Sequence, residues 1–171
     1  MQYDIIIDPK MAFGTGHHET TSLMISYLLD TDVANKSFLD MGCGTAVLAI
    51  LAKMKGANPV IAIDIDEWAY NNSIENTKLN NTPDIDIRLG GAEMIGKEKF
   101  DVIFANINRN ILLNDIHIYS SCMKQGSQLF MSGFYTEDME IIIEECRKNH
   151  LQFTSYLEKN NWVAIKTAKN N

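Results

Sequence analysis

The sequence predicts an α/β fold: a doubly wound, mostly parallel sheet closed by an antiparallel hairpin. Three observations predict it. Short β-branched or apolar runs alternate with amphipathic stretches of helix length; a glycine-rich turn, "DMGCGT", leads from one such run into the next helix; and the last two runs are separated only by the turn-rich "EKNN". Strand and helix in alternation imply right-handed crossovers, hence a parallel sheet covered on both faces. Two strands with no helix between them pair antiparallel, because a parallel connection needs a crossover.

Taken in order, "YDIIID" (Tyr3 to Asp8) is a β-branched run stopped by Pro9 and reads as a strand. "MAFGTGHHE" is turn-like, and the spacing of Leu23, Tyr27 and Leu28 then predicts a helix. "SFLDM" reads as a buried strand, and Val47, Leu48, Leu51, Ala52 and Met54 mark a helix ending near Gly56. "PVIAID" (Pro59 to Asp64) repeats the strand signal, and Glu67 to Leu79 follows as a helix whose "NTKLNN" asparagines read as a frayed end. "DIDIRL" (Asp84 to Leu89) alternates like a strand, and "FDVIFAN" (Phe100 to Asn106) is a fourth, strongly apolar one. Ile111 to Met123 reads as a helix, "SQLFMSG" (Ser127 to Gly133) as a strand, and Glu137 to Lys148 as an amphipathic helix. Leu151 to Leu157 and Trp162 to Thr167 make the closing hairpin.

With 171 residues, the chain is expected to be one domain, 1–171. Its formal net charge of -7 leaves it without the basic footprint of non-specific phosphate binding, so direct nucleic-acid binding is not expected and a basic partner suits it better. The three cysteines, Cys43, Cys122 and Cys146, form no C-x-x-C pair, which argues against both a disulfide framework and a zinc knuckle. No apolar run approaches the roughly 20 residues that cross a bilayer, so no membrane association and a cytoplasmic location are expected. The first strand-like run begins within a few residues of Met1, and upstream sequence is expected in the natural protein.

Gly42 and Gly44 lie where a first strand hands over to its helix, the position at which a doubly wound sheet binds its ligands. Lacking side chains, they let backbone N–H groups approach a ligand closely. A dinucleotide fingerprint wants a third glycine where this chain has Val47, and a P-loop wants a Gly-Lys pair where none occurs. Asp64, about 20 residues on at the end of the next strand, is placed for the two hydroxyls of a ribose; the alternative is a strand-end carboxylate capping the next helix. Together they point to an adenosine-containing ligand without a pyrophosphate.

"DMGCGTAVLAI" followed by "AIDID" resembles the cofactor loop and acidic strand end of class I S-adenosylmethionine-dependent methyltransferases. "DPKMAFGTGHHETT", "FANI" and "NNWVAI" narrow the resemblance to the catalytic domain of the ribosomal protein L-eleven methyltransferase family, over essentially the whole chain. The resemblance implies a seven-stranded Rossmann-like methyltransferase sheet, S-adenosyl-L-methionine as cofactor, and methylation of amino groups on a ribosomal protein. It implies that Phe13, Gly14, Thr15, Gly16 and Thr21 close over the methionine part of the cofactor, that Gly42 and Gly44 cradle it, that Asp64 holds the ribose, and that Asn106 lies beside the reactive methyl. Members of the family carry a separate amino-terminal recognition domain that these residues do not include.

Asn106 is the one catalytic candidate. Its amide does not titrate, so its expected role is to orient the acceptor nitrogen; the alternative is a cap for the following helix. Asp40 either steers the cofactor ammonium or is a solvated strand-end carboxylate. Cys43, between glycines at a helix start, has a setting that lowers a thiol pKa, yet lacks a histidine partner for nucleophilic work. His17, His18 and Glu19 are adjacent without a third histidine at ligand spacing, so no metal is expected and His18 shapes the loop. Ala46 stands where the family has glycine, and its methyl is expected to crowd the cofactor. Trp162 reads as packed core. The competing readings are an RNA or small-molecule amine methyltransferase of the same fold and a non-catalytic cofactor-binding module.

Overall fold

A computed structural model describes residues 2–8 and 17–170. In chain order these form α1 (His17–Leu29), β1 (Phe38–Met41), α2 (Val47–Met54), β2 (Val60–Asp64), α3 (Glu67–Leu79), β3 (Asp86–Leu89), a 3-10 turn (Ala92–Ile95), β4 (Phe100–Asn106), α4 (Arg109–Ser121), β5 (Met123–Tyr135), a second 3-10 turn (Thr136–Asp138), α5 (Met139–Lys148), β6 (Leu151–Lys159) and β7 (Trp162–Lys169). The seven strands make one sheet in the order β3-β2-β1-β4-β5-β7-β6. β1 to β5 run parallel, and β7 pairs antiparallel with both β5 and β6. Asn160 and Asn161 close that hairpin, both at positive φ (51° and 71°), the backbone of a type I′ turn.

The central strands are mostly apolar because helices cover both faces. Leu39, Ile61, Ile63 and Ile103 pack with Leu112, Ile116 and Ile142 of α4 and α5, whereas Phe38, Val60, Ala62 and Phe104 pack with Met24, Leu28 and Ile50 of α1 and α2. Adjacent residues go to opposite faces, as the pleat requires. On the second face a row of rings crosses the sheet, Phe38 to Phe104 (5.3 Å), Phe104 to Phe130 (4.4 Å) and Phe130 to Tyr27 of α1 (5.1 Å). Offset rings at such distances add to the value of their buried area.

Two expectations need correction. The run from Tyr3 to Asp8 is extended, with Tyr3, Ile5 and Ile7 turned onto the core, but it joins no strand of the sheet. Side-chain amides of α3 receive it instead. Asn80 accepts from Ile6 N (2.8 Å) and donates to Ile6 O (2.7 Å), Asn76 accepts from Asp8 N (3.0 Å), and Asn72 donates to Asp8 O (2.6 Å). Asn76 and Asn80, read as part of a frayed end, therefore form a buried ladder with Asn72. The spacing works because two extended residues advance about 6.6 Å and four helical residues about 6 Å. Smaller shifts have local causes: α4 starts at Arg109 because the Asn108 side chain accepts from Ile111 N (3.1 Å) and caps it.

Candidate functional site

The order of the sheet reverses at β1, with β2 and β3 to one side and β4 onward to the other. A doubly wound sheet opens a crevice there, beyond the carboxyl ends of its strands. A cavity of about 1030 Å³ occupies it, lined by Met41 and Gly42 after β1, Asp64 and Ile65 after β2, Gly90 to Glu93 after β3, and Asn106 and Ile107 after β4. Asn110, Ile111, Asn114, Asp115 and Ile118 line it from one face of α4.

The turn after β1 is held at three successive peptides. Gly42 N and Cys43 N both donate to Ile63 O (2.8 and 3.0 Å), and Gly44 N donates to Asp64 Oδ2 (2.9 Å). Gly42 and Gly44 have φ of 71° and 57°, where L side chains are strained. Ala46 shares that conformation at φ 70°, a strain of about 1–2 kcal/mol for a residue with a Cβ. It turns the Thr45 carbonyl out of α2 to accept from Asn76 Nδ2 (3.0 Å). Ala49 N, which in a regular helix would donate to the carbonyl four residues back, donates to Asp40 Oδ2 instead (3.2 Å). Ala46 is fully buried against the α1 and α2 core and is absent from the lining, so its methyl does not crowd the cavity.

Asp40 is corrected as well: it is fully buried, which removes the solvated alternative. Burial, then the charge of Asp64, push its carboxyl up to about 7 against the lowering hydrogen bond from Ala49, and its Oδ1 has no hydrogen-bond partner among the described residues. Cys43 is buried too, and burial together with Asp40 and Asp64 raises its thiol well above the usual value. The expectation of a lowered pKa fails first because the thiol is buried, and then because two carboxylates lie near the sulfur.

Asp64 accepts from Gly44 N with Oδ2 and from Asp66 N with Oδ1 (2.9 Å), leaving further lone pairs directed at the cavity side. The helix-capping alternative belongs to its neighbour: Asp66 accepts from Trp68 N (2.8 Å) and caps α3. Likewise Asn108, not Asn106, caps α4, and the Asn106 amide makes no hydrogen bond among the described residues. Its backbone is wedged between two glycines. A Cβ at Gly42 would sit 2.9 Å from Asn106 O, and one at Gly133 would sit 2.4 Å from Ile107 O.

Thr21 is half-buried on α1 and does not line the cavity; its neighbour Thr20 does. Phe13, Gly14, Thr15 and Gly16 lie outside the described residues. Trp162 packs against the core as expected, but is only half-buried and also stands at the cavity edge, its ring 4.1 Å from that of Tyr135. Sequence reasoning missed Gly133, the Gly90 to Glu93 wall and the α4 face. The Gly90-Gly91 pair directly after a strand was the available signal.

The described lining carries four carboxylates, Asp64, Asp66, Glu93 and Asp115, and neither lysine nor arginine. Such a donor set favours a cationic occupant and disfavours phosphate. Among the described residues no cluster of three or more metal-ligating side chains occurs, and no helix is long and apolar enough to cross a membrane.

A family model described as "Ribosomal protein L11 methyltransferase (PrmA)" matches residues 2–170. A protein of Bacteroides thetaiotaomicron named ribosomal protein L11 methyltransferase is 60% identical over 165 residues, covering 96% of this chain and 59% of its own length. Its namesake in Porphyromonas gingivalis is 52% identical, covering 95% of this chain and 57% of its own length. The chain thus spans about three-fifths of the length of the curated relatives it matches. Among solved structures, a ribosomal protein L11 methylase from Lactobacillus delbrueckii subsp. bulgaricus superposes with a TM-score of 0.86 at 28% identity, over 91% of this chain and 81% of that one. An RNA methyltransferase from Salinibacter ruber in complex with S-adenosyl-L-homocysteine shares the fold, with a TM-score of 0.68 at 14% identity over 86% of this chain and 91% of that one.

Proposed function

The chain belongs to the ribosomal protein L11 methyltransferase family, and from that premise we propose that it binds S-adenosyl-L-methionine and methylates amino groups of a ribosomal protein. The observation that carries this reading is the cavity at the sheet's switch point, whose described lining carries four carboxylates and neither lysine nor arginine. That donor set fits a cofactor carrying a sulfonium and an ammonium, and it does not fit the phosphates of NAD or ATP. The unpartnered, buried Oδ1 of Asp40 fits too, since a cation near the turn would relieve the cost of that carboxylate.

In this reading Gly42 and Gly44 bring the backbone against the cofactor, Asp64 accepts from the ribose hydroxyls, and Asp40 draws the ammonium from behind the turn. The family resemblance assigns the cover of the methionine part to Phe13 to Gly16, which lie outside the described residues, and to Thr21, whose neighbour Thr20 lines the cavity. When bound, the cofactor supplies an electrophilic methyl group, so the chain's task is alignment. Asn106 offers its free carbonyl to an N–H of the acceptor and points the nitrogen lone pair into the cavity. The attacking amine must be neutral; the apolar parts of the wall, Ile107, Ile111 and Trp162, withhold water from its ammonium form and lower its pKa. The same carboxylates that suit a lysine side chain repel a polynucleotide, which favours a protein acceptor over RNA. A ribosomal protein as substrate would suit a cytoplasmic activity.

Thermal unfolding with S-adenosylhomocysteine, with NAD and ATP as controls, tests the cofactor. Ligand at about 100 times its dissociation constant adds about 2.7 kcal/mol of stability. A shift with S-adenosylhomocysteine alone is expected; none at millimolar ligand overturns the reading. Labelled methyl transfer to the ribosomal protein, ribosomal RNA and free lysine then identifies the acceptor, and label in RNA alone would refute the protein substrate.

A further inference from the structure

Asn76 belongs to two structures at once. From the middle of the α3 ladder its Oδ1 accepts from Asp8 N, while its Nδ2 donates to Thr45 O of the glycine turn and weakly to Asn72 Oδ1 (3.4 Å). Asn76 is fully buried, and Asn72, Asn80 and Thr45 are nearly so, so water does not replace these bonds. The bond to Thr45 O fixes the orientation of the peptide between Thr45 and Ala46. That peptide plane sets the φ of Ala46, which is left-handed. Turning the plane over would return Ala46 to negative φ, the favoured half for a residue with a Cβ. Nothing else among the described residues bonds Thr45 O, because Ala49 N goes to Asp40.

We propose that Asn76 is the positioning residue of the glycine turn, and that through it the docking of residues 2–8 holds Gly44 and Thr45 in the binding conformation. The strain at Ala46 and the amide at residue 76 oppose each other, and the amide prevails while Asp8 and Asn80 keep the ladder in register. Asn80 bonds Ile6 and the Asn76 carbonyl and touches no part of the turn, so it acts on the turn only through the ladder. The identity of the ligand rests on the function proposed above; the conformation of the turn does not.

Amide hydrogen exchange without ligand gives the first readout, because Ala46 N donates to Cys43 O (2.8 Å) and loses that bond when the peptide turns over. In Asn76→Ala, exchange at residue 46 should rise about tenfold relative to Ile103 and Phe104 in the sheet, and in Asn80→Ala about threefold. Calorimetric titration with S-adenosylhomocysteine, well below the unfolding temperature, should show affinity falling about tenfold in Asn76→Ala. In an Ala46→Gly background the same substitution should cost less than threefold, since glycine has no drive to leave positive φ. A general loss of stability would not depend on residue 46 in this way. Unchanged relative exchange at residue 46 in Asn76→Ala overturns the proposal; should that variant fail to fold, unchanged exchange in Asn80→Ala overturns it equally. Faster exchange in a protein whose wild type binds no S-adenosylhomocysteine would refute the proposed function and leave the positioning role standing.

Discussion

Replacing Asp40 by asparagine should make the protein more stable at pH 8 and less stable at pH 4. The carboxyl is fully buried and its pKa is pushed from 3.8 to about 7, first by desolvation. A raised pKa in a folded acid means that the unfolded chain releases this proton at lower pH. The contribution of Asp40 is therefore intact below pH 3.8, is lost as the pH climbs through about 7, and is constant above. At about 1.36 kcal/mol per tenfold change in proton affinity, the loss is about 4 kcal/mol. Asparagine keeps the acceptor for Ala49 N and never ionises, but it buries an amide NH2 at a cost of about 1–3 kcal/mol if unpartnered. The net gain at pH 8 is then about 1–3 kcal/mol. Urea unfolding of both proteins at pH 4, 6 and 8 measures it, and the quantity to follow is the difference between them. A difference that stays flat from pH 4 to 8, or a variant that is less stable at pH 8, would refute the assignment of a costly buried carboxylate.

Three further changes probe other parts of the site and core. Gly133→Ala puts a Cβ 2.4 Å from Ile107 O at a φ of 111°, and denaturant unfolding should show a loss of about 2–3 kcal/mol; a change under 0.5 kcal/mol would mean that the β4 end yields freely. Asn106→Ala, in a chain active on its protein substrate, should slow methyl transfer roughly 100-fold and leave S-adenosylhomocysteine affinity within about threefold; unchanged turnover would remove the orienting role. Tyr119→Phe deletes a buried hydroxyl with no hydrogen-bond partner and should raise stability by about 1 kcal/mol, whereas a loss of that size would show that the hydroxyl is bonded in solution.

The sheet was legible because its strands are buried on both faces and its helices carry clear apolar spacing; Val60–Asp64 and Glu67–Leu79 fall where the residue pattern puts them. The Tyr3 to Asp8 run shows the limit. Alternation reports that one side of an extended segment is buried, but not whether its backbone bonds a strand or, as here, the amides of a helix. Asparagines at four-residue spacing look like poor helix formers until something extended lies against them. In the site, Gly42 and Asp64 were readable from their distance in sequence. Gly133 was not, since its need to be small comes from Ile107 across the sheet. Cys43 was misread, and the solvated alternative for Asp40 fell, for one reason: how a carboxyl or thiol titrates depends on burial, and both stand at positions that a strand-end reading assumes to be wet.

Ile65 stands beside Asp64 in the cavity lining with 77% of its surface exposed, and Trp68 in the first turn of α3 has 68% exposed. Water therefore lies against apolar surface at and beside the crevice, and an occupant resting on Ile65 would displace it. The binding enthalpy of such an occupant grows more favourable as temperature rises, with a negative heat-capacity change as its signature. Titrations at several temperatures would then report coverage of the rim separately from the charge attraction deeper in the crevice, which salt weakens.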